Sequence, residues 1–292
     1  MKLDGRREST NVDDRRRGGG KKMAFGGGIG AIIIAVIIGY FTGGKEGAFQ
    51  ALTDGVQQQI VQRGQVTTEG GEFSEEEDSL AKFSRQILAS TEDVWAKVFQ
   101  NMGKEYEYPR MVLYTGSVQT SCGNGSAAMG PFYCGGDQCV YLDLSFFSSM
   151  QQELGASGEF ANAYVIAHEV GHHVQEQLGI LGKAHQQMSQ LGKADANEIS
   201  VRLELQADFF AGLWGYYENK TFHSVSDKEI AEAIQCAHQI GDNYLQQQAQ
   251  GYVVPESFTH GTSEQRMRWF KLGLTTGDMN LCDTFSKNYE DL

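Results

Sequence analysis

Apolar positions along this chain follow three patterns. From Ala24 to Thr42 they run together without a charge, as AFGGGIGAIIIAVIIGYFT. Over residues 79–102 they recur at helical intervals, with Leu80, Phe83, Ile87, Leu88, Val94, Trp95 and Val98 on one side. The Thr91-Glu92-Asp93 triplet within that stretch reads as the cap of a second helix. Residues 110–118 and 139–144 read as strands, the latter following the turn-forming Gly135-Gly136-Asp137. Helical periodicity then governs residues 158–180, 195–217, 227–248 and 262–272. The fold class is α+β, mostly helical with a small antiparallel sheet.

The uncharged run from Ala24 to Thr42 is nineteen residues long, close to the roughly 20 that a helix needs to cross a bilayer. Arg15, Arg16, Arg17, Lys21 and Lys22 crowd its N-terminal side, whereas Lys45 stands alone soon after it. By the positive-inside rule this predicts a single-pass inner-membrane protein with a cytoplasmic N-terminus and an extracytoplasmic body. A 22-residue polar head ahead of the run is unlike a cleavable signal. The expected organisation is a basic head at 1–22, a lipid-spanning anchor at 23–42, a solvated linker at 43–78 ending in Glu75, Glu76, Glu77 and Asp78, and a globular domain at 79–292.

Charge narrows the partners. Lys and Arg total 24 against 37 Asp and Glu, for a net charge of -13, and 8 of those cations lie in residues 1–22. A body this acidic is a poor match for a nucleic-acid backbone, so nucleic acid is excluded as a partner. Hydrophobic residues at 40% support a real core, which excludes disordered and collagen-like classes.

The chemistry concentrates in His168-Glu169-Val170-Gly171-His172. Histidines four apart stand about 40° from one another around a helix, so both rings can reach one metal ion. Glu169 sits beside the metal, placed to move a proton between an attacking water and a departing amine. Composition alone gives roughly 0.01 chance matches to this motif. Gly171 costs about 1 kcal/mol in a helix interior, so another element is expected to approach it closely.

A catalytic zinc takes three protein ligands and leaves one position for water. The metzincin arrangement would need Gly and His where this chain has Gln175 and Leu178. His173 points about 100° away from His172 around the helix, and His185 lies past Gly179 and Gly182, so both read as surface residues. Glu204 is the better third ligand. It shares a helix face with Asp208, which can hold the outer N–H of a ligand histidine, and their apolar neighbours leave little solvated face for unpaired carboxylates.

Three segments, HEVGHHVQ at 168–175, ELQAD at 204–208 and THGTSEQR at 259–266, resemble the bacterial neutral zinc metallopeptidases, single-pass membrane proteins of the HExxH plus ExxxD gluzincin type. The likeness extends to GRRESTNVDDRR at 5–16, MGPFYC at 129–134 and YLDLSFF at 141–147. It implies one zinc held by His168, His172 and Glu204, with Glu169 catalytic. It also implies a thermolysin-like core in which the metal helix packs on the ligand helix beneath a small sheet, and a Cys122–Cys134 disulfide.

His260 and Arg266 are similar to a His and Arg near the C-terminus of membrane-associated gluzincins, where such a His faces the scissile carbonyl. An imidazole there would stabilise an oxyanion. Alternatively Thr259 or Thr262 caps the next helix, Glu264 closes the capping box and His260 only packs. Arg266 is expected to pair with a carboxylate. Five cysteines suit an oxidising compartment; Cys236–Cys282 is the second expected bridge, leaving Cys139 spare. Residues 139–144 form the candidate sheet edge for an extended peptide, unless the strand lies inside the sheet. The expected function is a zinc metalloendopeptidase acting on peptides or unfolded protein. Alternatives are a zinc-stabilised envelope scaffold without activity and a hydrolase of other amides such as cell-wall peptides.

Overall fold

The computed structural model describes residues 1–16, 73–155 and 158–292. The expected membrane anchor and most of the linker lie outside the described residues. Among the described residues no helix is long and apolar enough to cross a membrane.

The acidic stretch expected to end the linker is the start of the first helix among the described residues, α1 (Glu75–Asn101). Ser74 and Glu77 form a reciprocal capping box, and Glu75, Glu76, Glu77 and Asp78 occupy the first turn, where the helix dipole favours negative charge. Helix α1 also runs through the triplet read as a cap. The Thr91 hydroxyl donates back to the Leu88 carbonyl 2.7 Å away, within the helix. Glu92, 1% exposed, takes its partners from the N-terminal arm.

That arm, residues 1–16, is part of the domain. Its strand β1 (Val12–Asp14) pairs in parallel with β2 (Arg110–Tyr114). Strand β2 ends before Gly116, whose φ of 78° turns the chain into β3 (Ser117–Thr120), which pairs with β4 (Gly123–Ser126). The next strands are β5 (Phe132–Cys134) and β6 (Cys139–Asp143). The main sheet has the order β1-β2-β6-β5, with β1, β2 and β6 parallel and β5 antiparallel. It is therefore mixed, not antiparallel as expected, because the arm and β6 each join β2 in the same direction. Residues 139–144, the candidate edge, are internal, and all five residues of β6 are buried between β2 and β5. The edge strands are β1 and β5, and β5 is the edge beside β6.

The remaining α-helices among the described residues are α2 (Ser145–Leu154), α3 (Glu159–Gln177), α4 (Ile180–Met188), α5 (Lys193–Phe222), α6 (Asp227–Gln239), α7 (Asp242–Gln250) and α8 (Ser263–Thr276). The 227–248 pattern breaks at Gly241, where a Cβ would sit 2.4 Å from the Ser263 nitrogen. Helix α3 packs against α5, β5 and β6. A Cβ on Gly171 would lie 3.0 Å from the Ala207 carbonyl oxygen, so its glycine permits the α3–α5 approach. Helices α5 and α8 meet backbone to backbone: a Cβ on Gly212 would stand 2.1 Å from the Phe270 oxygen, and one on Gly273 2.1 Å from the Phe209 oxygen. Backbone cannot swing aside as a side chain can. Gly212→Ala is expected to destabilise the fold by roughly 1–3 kcal/mol, read as a lower denaturant midpoint.

Cys122 and Cys134 are bridged, tying the β3–β4 hairpin to the edge strand. The Cys236–Cys282 bridge does not form. Cys236 is fully buried on α6 with its sulfur 3.6 Å from the Met150 sulfur, while Cys282 is a separate, half-buried thiol. Cys139 is a free, buried thiol.

Candidate metal centre

Helix α3 brings His168 and His172 onto one face, their rings 5.0 Å apart and perpendicular. Helix α5, packed alongside, presents Glu204. Its Oε2 lies 3.0 Å from His168 Nε2 and its Oε1 3.4 Å from His172 Nε2. One donor atom from each of the three residues falls within 4.8 Å of the others. Ligands about 2.0–2.1 Å from a tetrahedral zinc stand about 3.3 Å apart, so this donor set fits the ion.

The outer nitrogen of each ring is held by the protein. Asp208 Oδ1, fully buried one turn beyond Glu204, lies 2.8 Å from His168 Nδ1. The same carboxylate accepts from the Tyr164 hydroxyl at 2.6 Å and from Arg266 Nε and Nη2 at 2.8 and 2.9 Å. Burial would raise the Asp208 pKa, but Arg266 and His168 outweigh it and hold it at about 2. His172 Nδ1 lies 2.9 Å from Gln175 Oε1. Gln175 Nε2 donates to the Leu203 carbonyl at 2.7 Å and to Gln206 Oε1 at 3.1 Å, which fixes the amide with its oxygen towards the ring. Both histidines thus carry their proton on Nδ1 and present Nε2 to a cation. Gln175 is not among the site residues expected from the sequence; its spacing of three from His172 is the signal that points to it.

Glu169 is 8% exposed and shares a cavity with these groups. Burial lifts its carboxyl above the ordinary value, against the pull of His168 and His172. The cavity, of about 370 Å³, is walled by Met129, Pro131, Phe132, Phe146, Met150, Val165 and Leu245, with His260 and Arg266 also on its lining. Pro131, Phe132 and Tyr133 bring the edge strand to its border.

His260 is positioned by Asp242, which the sequence reading did not single out. Asp242, fully buried at the first residue of α7, accepts at Oδ2 from the backbone N–H groups of Thr259, His260 and Gly261 at 2.8, 2.7 and 3.1 Å. Its Oδ1 lies 3.2 Å from His260 Nδ1. Burial opposes a charged ring, but Asp242 and Glu204 raise the His260 pKa. Thr262 caps α8, and Gln265, three residues on, closes the capping box; Glu264 is one residue short of that position. His173, read as a surface residue, is fully buried, with Nδ1 3.0 Å from the Tyr133 hydroxyl and Nε2 2.7 Å from the Glu107 carbonyl. It points away from His168 and His172, as its helical phase requires. His185 is exposed.

An α+β body carrying two helical histidines, a carboxylate from a second helix and an intervening glutamate defines the class of HExxH metalloproteins. The chain belongs to the family described as "Putative neutral zinc metallopeptidase", whose model matches residues 1–285. It is similar to "Uncharacterized protein YpfJ" of Escherichia coli (strain K12), with 46% identity covering 99% of this chain and 100% of that protein. It is also similar to "Uncharacterized protein Rv2575" of Mycobacterium tuberculosis (strain ATCC 25618 / H37Rv), with 43% identity covering 68% of each. No solved structure matches the chain.

Proposed function

We propose that this chain is a zinc-dependent metalloendopeptidase with a thermolysin-like core and one zinc per chain. The observation that carries this reading is the convergence of His168, His172 and Glu204 beside Glu169 at the wall of an open apolar cavity. Bound zinc supplies a Lewis acid that polarises the scissile carbonyl and makes water acidic enough to deprotonate near neutral pH. The chain's own residues do the rest. Glu169 accepts a proton from the attacking water and returns it to the departing amine; its burial makes it the stronger base. His260, half-exposed and anchored by Asp242, donates to the developing oxyanion. The edge strand β5 takes the substrate main chain by strand addition, so affinity rests on backbone hydrogen bonds, and the apolar cavity receives a large hydrophobic side chain.

Metal analysis of the full chain, followed by digestion of a random peptide library, tests this. One zinc per chain and cleavage beside large apolar residues are expected, with activity lost on chelation and restored by zinc. A chain that binds zinc tightly yet cleaves neither the library nor unfolded protein is a scaffold, and the reading fails.

A further inference from the structure

We propose that residues 1–16 and the metal-binding body lie on the same side of any membrane the chain meets, so that the arm is not a head left on the opposite face of a bilayer. The apolar run at 24–42 lies outside the described residues, and only its sequence enters. What carries the inference is the way the arm is built into the body.

Strand β1 is hydrogen-bonded into the main sheet, with Val12, Asp13 and Asp14 opposite Met111, Val112 and Leu113. The Met111 N–H donates to the Asn11 carbonyl at 2.9 Å and the Arg15 N–H to the Leu113 carbonyl at 2.8 Å. Two buried carboxylates of the body take their countercharge from the arm. Glu218, fully buried, receives Arg6 through Nη1 at 2.8 Å and Nη2 at 3.1 Å. Glu92 receives Arg7 Nη1 at 2.8 Å, Ser9 Oγ at 2.6 Å and Asn11 Nδ2 at 2.8 Å. An arm on the opposite face of a bilayer, across a hydrocarbon core of about 30 Å, could make none of these contacts, and two buried charges would stand uncompensated.

The two ends of the intervening chain are also held together. The Arg16 guanidinium lies 4.1 Å over the Phe73 ring and donates to the Glu77 carbonyl at 3.1 Å and to Asp78 Oδ1 at 3.2 Å. A chain that leaves and returns at one place must cross a bilayer an even number of times or not at all. Nineteen uncharged residues suffice for one helical crossing and fall far short of two, which need roughly 40. The basic flank that suggests a cytoplasmic head is partly consumed as well, since Arg16 is buried against Asp14 and Arg15 binds Asp13 at 2.7 Å.

The test uses the full chain carrying Cys282→Ser, with Thr10→Cys in the arm or Lys228→Cys in the body, both at exposed positions. Bacterial spheroplasts are treated with a membrane-impermeant maleimide before and after lysis. The two positions are expected to react alike, either both before lysis or both only after it. One position reacting before lysis while the other stays shielded overturns the proposal. A detached arm on the same side would also label alike. Asp14→Cys with Arg85→Cys, whose side chains meet at 2.8 Å and which leaves Arg6 and Arg7 in place, is therefore treated with a short bismaleimide in the same membranes, where near-complete intramolecular cross-linking is expected and none overturns the docking. Glu8→Cys replaces Thr10→Cys if that variant does not accumulate. No residue of the candidate metal centre is altered, so this result stands or falls apart from the hydrolase reading.

Discussion

Exchanging Glu169 for Gln is expected to leave zinc stoichiometry at one per chain while lowering kcat at least 10²–10⁴-fold, the range that a positioned general base contributes. The amide matches the carboxylate in size, so the wall of the cavity is preserved, but it cannot accept a proton at neutral pH. Glu169 makes no bond to the converging ligand atoms, which come from His168, His172 and Glu204. Metal content measured beside peptide cleavage separates the two roles. Loss of zinc in the variant would make Glu169 a ligand, and unchanged cleavage would remove the proton-transfer role altogether.

Arg266→Met is expected to be the most destabilising exchange near the site. Arg266 and Asp208 are both buried, joined by contacts of 2.8 and 2.9 Å. Removing one partner of such a pair typically costs about 3–5 kcal/mol, because the other charge remains in a poorly solvating interior. The double exchange Arg266→Met with Asp208→Leu is expected to recover much of that stability, since it removes both charges. The effect is pH-dependent. The Asp208 pKa is depressed to about 2 in the folded state, so the pair's contribution is fully present above the ordinary carboxylate value, near 3.8, and fades as pH falls through about 2. In Arg266→Met the orphaned carboxyl takes up a proton more readily, so the deficit relative to wild type narrows as pH falls. Denaturant midpoints of the wild type and the two variants between about pH 3 and pH 7 measure this. A deficit independent of pH would mean that lost packing, not charge, sets the cost.

Much of the site is legible in the sequence because it is written in helical spacing. His168, Glu169 and His172 share one helix, Glu204 and Asp208 another, and the face each residue occupies follows from its offset along its own helix. The glycine anomaly at 171 likewise signals a close neighbour before that neighbour, Ala207, can be named. The reading fails where a residue's partner is far away in the chain. Glu92 in a Thr-Glu-Asp triplet looks like a cap until the arm, more than eighty residues earlier, supplies Arg7 and Ser9. Asp242 looks like an ordinary helix start until three backbone N–H groups from residues 259–261 turn to it.

The sequence by itself determined that helices carry the site, which of their faces carry imidazole and carboxylate, and that one hydrophobic run is long enough to meet lipid. Only the tertiary structure decided that β5 and not β6 borders the cavity, that Cys236 and Cys282 stay apart, that Gln175 orients one ring, and that the N-terminal arm belongs to the sheet. The physical reason is range. Helical phase and capping are settled by neighbours within one or two turns, whereas strand order, disulfide pairing and the neutralisation of buried charge depend on which distant segments the core brings into contact.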